Sequence, residues 1–476
     1  MARIIAGVWR TEAKCLWAPP LGRPVEPRRW TPPAGDREVG LGFYASSSPP
    51  LAGRIKADAE DFQVQEISSY PVPDPDGRFT VLRVRSRNWE QHELAERIAS
   101  RLRLPPHALS WAGTKDRRAV SERLFSYPGP VPASGSLDLP EVELLEAYRA
   151  RDGVSLGHHY GNTFTIRVSD LLEGADEAAV RLEGTAKELR TFGGFPNFFG
   201  LQRFGEVRPV THLVGRELVR GRPDAAVETY LTYLPDSGDS MGAEARANYA
   251  RDHDAARALR EFPAAFQFEK RLLDHLARGH PPERALGALS RELRKLFVHA
   301  YQALLFNRWL CARAAAGFAL GDPVPGDHLL RVGPDGTVRT VDPIPASEDN
   351  LRECRELATR GRAIVAGPLV GFETPPGEGE IGTLFDQILQ EEGVTPSDFS
   401  LPRTPEVASA GSWRPAIVPM PPVSLAAEKV PSGPPGTPRG VWARFSLPKG
   451  SYATVLLREF LKTGAQALPV VSNQPF

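Results

Sequence analysis

Trp111-Ala-Gly-Thr-Lys-Asp-Arg-Arg-Ala-Val120 decides how this 476-residue chain reads. The run before Gly113, Ala108-Leu-Ser-Trp-Ala112, has strand character, and that phase breaks at the glycine. A strand pattern resumes over Val120–Ser126. Asp116 therefore belongs at a strand end or in the loop that follows, where side chains meet ligands. Lys115 stands on one side of it and Arg117 and Arg118 on the other, and nearby positive charge favours the ionised carboxylate. The plainer alternative is a surface salt-bridge cluster, since exposed ion pairs contribute little and charge-rich turns are common.

Working outward, the first half alternates strands with helices. Phe62-Gln-Val-Gln-Glu-Ile67 alternates apolar and polar residues, and Phe79-Thr-Val-Leu-Arg-Val-Arg85 follows a Pro/Asp/Gly turn. Glu90–Leu102 has helical spacing, with Leu94, Ile98 and Leu102 on one face. Strands are predicted at Val142–Tyr148 and Thr163–Val168, a loop at Tyr127–Ser136 and a helix at Ala175–Thr191. Beyond Gly205 the spacing predicts helices at Val210–Arg220, Asp224–Leu234, Ala243–Phe262, Ala265–Arg278 and Leu296–Ala315. Pro/Gly-rich and strand-like stretches follow, and a strand at Gly440–Ser446 resumes the earlier character. An α-rich block inserted into an α/β domain accounts for this order. Residues 1–37, rich in Pro, Arg and Trp without a period, read as an extended or loosely packed tail.

Composition narrows the function classes. Apolar content of 41% and charged content of 24% are those of a globular protein. No apolar run reaches the roughly 18–20 residues of a membrane span, and the N-terminal apolar stretch is too short for a secretory signal. Cys15, Cys311 and Cys354 are odd in number and far apart, which argues against a disulfide framework or zinc site and fits a cytoplasmic protein. The formal charge of zero weighs mildly against nucleic-acid binding, but a local cationic surface suffices for phosphate contacts. Locally basic stretches are Arg83, Arg85 and Arg87; Lys115, Arg117, Arg118 and Arg123; and Arg291, Arg294 and Lys295. The first 35 residues carry six Lys/Arg against two Glu. Only nine of 58 basic residues are lysine, and Lys56, Lys115 and Lys449 all fall in the segments discussed next. Lysine supplies a compact charge where arginine supplies a planar fork.

Gly113-Thr-Lys-Asp-Arg-Arg-Ala-Val120 resembles the active-site motif of the TruD-type tRNA pseudouridine synthases, in an archaeal-like form. Four segments resemble further motifs of that family in the same order: Gly53–Glu66, Gly157–Phe164, Phe195–Gly205 and Leu447–Glu459. Weaker matches are His299–Asn307 and Gly411–Arg414. Departures are Ser121-Glu122-Arg123 where Thr-Gln is usual, Ala59 in place of a proline, and Leu201 in place of a glutamate. The resemblance implies an α+β fold. A pseudouridine-synthase catalytic domain (38–220 and 416–476), with a mixed, mostly antiparallel central sheet flanked by helices, is interrupted by an α-rich α/β insertion domain (221–415). It implies isomerisation of uridine to pseudouridine in tRNA, at uridine-13 of the D-arm, without cofactor or metal. The partner is tRNA, no membrane is involved, and a monomer is favoured.

By resemblance Asp116 is the catalytic nucleophile, a role an ionised carboxylate can fill. Attack at C1′, attack at C6 and a glycal route all start from it. Lys56 resembles the family's active-site lysine and is expected to pair with Asp116 and hold its orientation. The target base must leave its stack, so the pocket needs flat surfaces. Phe199 matches the family's stacking position and Tyr452 is the second candidate, while Phe198, Phe204 and Phe445 read as core. Asn197 offers a donor and an acceptor for a uracil edge or for fixing its loop. Arg203 either meets a phosphate or supports the loop. His158 and His159 point to opposite faces if on a strand and read as structural. Two rival functions remain. A non-catalytic RNA-binding paralogue would keep the grooves and lose the nucleophile. A carboxylate-dependent N-glycoside hydrolase would need a second carboxyl group beside Asp116, from Glu60 or Asp61.

Overall fold

The computed structural model describes residues 30–467, apart from 69, 106, 114, 134, 156, 158, 206, 236–241, 335 and 429–439. An eight-stranded sheet is built from β1 (Phe62–Ile67), β2 (Phe79–Arg87), β3 (Ser110–Trp111), β4 (Val120–Pro128), β5 (Val142–Ala150), β6 (Gly161–Val168), β7 (Ser424–Ala427) and β8 (Val441–Pro448). The order is β7-β8-β6-β1-β4-β2-β5, with β3 added to β4. β1 and β4 run parallel, Gln63 facing Val120, and the other pairings are antiparallel. The sheet is thus mixed and mostly antiparallel, as expected. Side-chain alternation sets its faces: Val441, Ala443, Phe445 and Leu447 of β8 are buried, while Trp442, Arg444 and Ser446 are less so.

Helices cover the sheet. α1 (Gln91–Arg101) buries Leu94 and Ile98, and the Glu90 carboxylate caps it by accepting from the His92 and Glu93 N–H groups. α2 (Ala175–Phe192) buries Leu182 and Leu189 and stops at Gly193, whose φ is +100°. α3 (Arg291–Ala315) is the longest, and α4 (Ala453–Leu461) follows β8. One core joins α2, α3 and α4, since Phe164, Leu182, Phe306, Val365 and Leu456 all belong to it, while α1 packs with Leu82, Val84 and Phe125 in a second. The Thr211–Val219 helix lies so close to α3 that a Cβ on Gly215 would fall 2.0 Å from the Phe297 carbonyl oxygen. Only glycine fits there. A second, antiparallel sheet orders Ile344–Pro345, His328–Arg331, Ala363–Leu369 and Ser412–Pro415.

Several expectations are corrected. The single helix predicted over Ala243–Phe262 is two, Ala243–Asp252 and Ala255–Glu261. His253 turns the chain at φ +54°, and the Asp254 side chain caps the second helix by accepting from the Arg257 N–H. The strand predicted over Ala108–Ala112 shrinks to two residues. Of the expected tail, residues 1–29 lie outside the described residues. Residues 30–37 are packed: Trp30 pairs with Ala467, and the Asp36 carboxylate meets the Arg458 guanidinium at 2.5 Å.

The arginine stretch on β2 is not a free cationic surface. Arg85 faces Glu143 at 3.2 Å, Arg87 faces Glu60 at 2.6 Å, and Arg83 lies 3.7 Å from Glu146. The neighbouring β5 and the turn before β1 supply the matching carboxylates, which local sequence does not reveal. Arg291 and Arg294 are likewise held by Glu406.

Candidate active site

Parallel pairing of β1 with β4 puts the two chain segments that precede them at the same end of the strands. Lys56 comes from the first segment and Asp116 from the second. Their side chains meet, Lys56 Nζ donating to Asp116 Oδ2 at 2.8 Å. Lys56 adopts φ +55°, and its ammonium sits 4.2 Å from the centre of the Phe62 ring. Arg118 ties the two segments by donating to the Ala57 carbonyl. Asp58 and Asp61 close the first with a reciprocal cap, the Asp58 N–H donating to Asp61 at 2.9 Å.

The crowd of cations expected around Asp116 divides. Lys115 points into the protein, 3.0 Å from Glu66, with both side chains no more than 4% exposed. Burial pulls its ammonium below the usual lysine range against the opposing pull of Glu66. Arg117 is exposed, and Arg118 is engaged with Ala57. Arg123 is buried against Gln91 and Ser86, and burial lowers its guanidinium to about 10. Lys56 is therefore the cation that bonds Asp116, whose own side chain is 41% exposed.

Asp116 borders a cleft of about 350 Å³. Phe62 and Val64 of β1 and Asn162 and Phe164 of β6 line it, each pair two residues apart and so on one sheet face. Tyr452, Gln202, Arg203 and Leu296 also line it. Asn162 Oδ1 is buried without a hydrogen-bond partner, which leaves an acceptor for something that enters. Arg203 and Lys295, the residue before Leu296, have no ion pair among the described residues. Phe62, Asn162 and Phe164 were passed over in the sequence. Their signal was strand alternation inside the matched segments, which distinguishes a face without saying what it faces.

Asn197 takes the second of its two expected places, fixing its loop, and Phe199 lies behind the cleft. Asn197 donates from Nδ2 to the Pro415 carbonyl at 3.0 Å, and its Oδ1 accepts from Arg414 at 2.7 Å. Its amide thus fixes the loop. The Phe199 ring is 5% exposed, lies outside the cleft lining and carries the Arg414 guanidinium 3.9 Å from its centre. It braces Tyr452, whose ring is 6.1 Å away. Full burial brings Arg414 down to about 9, the neighbouring Tyr452 opposing the shift. Asn307 holds the same loop from α3, accepting from the Phe199 N–H at 2.8 Å and donating to the Phe199 and Val39 carbonyls at 3.0 and 2.9 Å.

A second catalytic carboxylate beside Asp116 is not formed by Glu60 or Asp61. Glu60 is paired with Arg87, and Asp61 is taken up by the Asp58 N–H and by Arg167 at 3.5 Å. Neither lines the cleft, which disfavours the hydrolase reading. His158 lies outside the described residues. His159 packs on the Asp116 loop, and burial, with Lys115 and Lys449 adding to it, lowers its imidazole to about 4. Among the described residues no three His, Cys, Asp or Glu side chains group where they could hold a metal ion. No described helix is long and apolar enough to cross a membrane.

The sequence profile of the family described as tRNA pseudouridine synthase D (TruD) matches residues 38–460. A probable tRNA pseudouridine synthase D of Methanosarcina acetivorans is 33% identical over 435 residues, covering 90% of this chain and 97% of that protein. A namesake in Thermococcus gammatolerans is 36% identical over 424 residues, 88% of this chain and 97% of that protein. The crystal structure of a putative tRNA pseudouridine synthase D from Methanosarcina mazei superposes with a TM-score of 0.75 at 29% identity, covering 90% of this chain and 97% of that one.

Proposed function

Because this chain belongs to the TruD family of tRNA pseudouridine synthases, we propose that its cleft isomerises uridine-13 in the D-arm of tRNA, with Asp116 as the nucleophile. The observation that carries this reading is the Lys56–Asp116 pair, 2.8 Å apart at the wall of a cavity of about 350 Å³. The reaction breaks the N1–C1′ bond, turns the base, joins C5 to C1′ and moves the C5 proton to solvent while N1 gains one, so no redox partner enters. Lys56 orients the carboxylate and draws one oxygen, leaving the other for C1′ or C6.

The target base enters flipped, over Phe164 and against Tyr452. A base–aromatic stack is worth roughly 1–3 kcal/mol, comparable to the few kcal/mol of unstacking. Asn162 Oδ1 accepts from the uracil N3–H, and Arg203 takes a phosphate at the rim. The insertion, residues 221–415, reaches this site through Leu296 of α3. A tRNA substrate goes with a cytoplasmic site of action.

Purified protein incubated with unmodified tRNA tests the assignment by carbodiimide mapping. One new stop, one nucleotide 3′ of position 13, with tRNA mass unchanged, is expected. Free uracil or a shortened sugar chain instead would establish hydrolysis, and a stop elsewhere would move the target.

A further inference from the structure

A second cavity, about 380 Å³, lies on the other side of the Lys449–Tyr452 turn. Lys449 and Gly450 line it, whereas Ser451 and Tyr452 line the catalytic cleft. The two cavities share a second divider, the Asp116 loop. His159 lines the new cavity and packs so tightly on Gly113 that a Cβ there would lie 3.2 Å from its Cε1. RNA that delivers a base to Asp116 therefore carries its neighbouring nucleotides to the mouth of this space.

We propose that this cavity receives a second unstacked nucleobase of the same RNA, one that flanks the target uridine, and reads its identity. The inference rests on the uridine-isomerase reading of the adjoining cleft. Size agrees, because the space matches the cleft that takes one flipped uridine and falls in the range of small-ligand pockets. The walls agree as well. Trp413, braced by His328 at 4.1 Å between ring centres and 24° between planes, supplies an aromatic wall beside Val338 and Leu369. Single-stranded RNA bases are characteristically recognised by stacking on such side chains.

The polar groups suit a base edge and its phosphate. His159 Nδ1 is buried without a hydrogen-bond partner. Its ring, lowered to about 4 by burial and the neighbouring lysines, stays neutral at physiological pH, so it presents one donor and one acceptor. Lys449 Nζ donates to the Gly157 carbonyl at 2.8 Å and retains two further N–H donors for a phosphate. None of the described lining residues is acidic, which suits a polyanion. Much of the wall comes from residues 336–340 and 412–415, the loop and strand of the second sheet. Through them the second sheet selects the sequence around the target.

The test measures RNA affinity of the full chain with D-arm hairpins, intact or with one abasic nucleotide at each position beside the target. Wild type is compared with Trp413→Ala and with Thr340→Trp, the latter filling the cavity from an exposed position. Each is made in an Asp116→Asn background for binding and in the active background for single-turnover pseudouridine formation. One abasic position should weaken wild-type binding about 10-fold. Both variants should bind intact RNA about 10-fold more weakly and lose no more at that position. Variants within twofold of wild type on intact RNA, or abasic penalties equal in wild type and variants, overturn the proposal. Pseudouridine formed without this coupling refutes the second base site alone. Coupled binding without pseudouridine in the active background refutes the isomerase reading and leaves the base site standing.

Discussion

Lys56 holds a left-handed backbone conformation, φ +55°, which costs an L-residue roughly 1–2 kcal/mol. That cost is sustained where its ammonium reaches Asp116 Oδ2 and the Phe62 ring together. Replacing Lys56 with Met removes a charge-assisted hydrogen bond worth roughly 1.5–3 kcal/mol, so kcat should fall about 10- to 100-fold with KM nearly unchanged. Single-turnover kinetics check this, and a change confined to KM would assign Lys56 to binding. Arg203, unpaired among the described residues and lining the cleft, should behave oppositely. Arg203→Gln should reduce the slope of log Kd against log salt by roughly 0.7–0.9 for one lost phosphate contact. An unchanged slope would leave Arg203 a loop support. At this scale Asp116 and Lys56 were legible because each stands inside a distinctive segment. Phe199 and Asn197 stand in such a segment too, but a motif marks a residue as required without saying whether it touches the base or the residue that does.

Among the elements, the decisive feature is the parallel pairing of β1 with β4, which sets two distant segments side by side. Strand alternation revealed both strands, but periodicity carries no information about partners, so their adjacency was not legible. Helix existence was read well and helix ends less so. The break at His253 depends on one capping aspartate, and α3 begins at Arg291, five residues before the predicted start, where Ser290 caps the Leu293 N–H. α3 also carries Asn307, which makes two hydrogen bonds to Phe199 in the loop beneath Tyr452 and a third to Val39. Asn307→Ala leaves a buried N–H and two carbonyls unpaired and should destabilise the chain by roughly 3–5 kcal/mol. Urea unfolding reads this as a lower midpoint at unchanged slope. A loss below about 1 kcal/mol would show that the loop stands without α3.

For the whole molecule, a formal charge of zero conceals a sorted distribution. Carboxylates on β5 and in the turn before β1 neutralise the β2 arginines, while Arg203 and Lys449 keep N–H donors at the two cavities. Composition showed the balance but not the sorting. Acid should unfold the chain partly through its buried histidines. Burial, with Arg216 adding to it, lowers His212 from 6.5 to about 4, so between those values the unfolded chain holds the extra proton. Stability then rises with pH from about 4 to 6.5, is complete above that window, and loses roughly 3 kcal/mol across it for this residue. His212→Phe should flatten the profile of unfolding free energy against pH, and an unchanged profile would place the acid sensitivity elsewhere. The catalytic account converges on one carboxylate, and tRNA tritiated at C5 of uridine tests it most directly. In single turnover the wild-type chain should release tritium to water, and Asp116→Asn should bind the tRNA within a few-fold of wild type while releasing it at least roughly 10⁴-fold more slowly. Tritium released by Asp116→Asn at the wild-type rate would contradict the account.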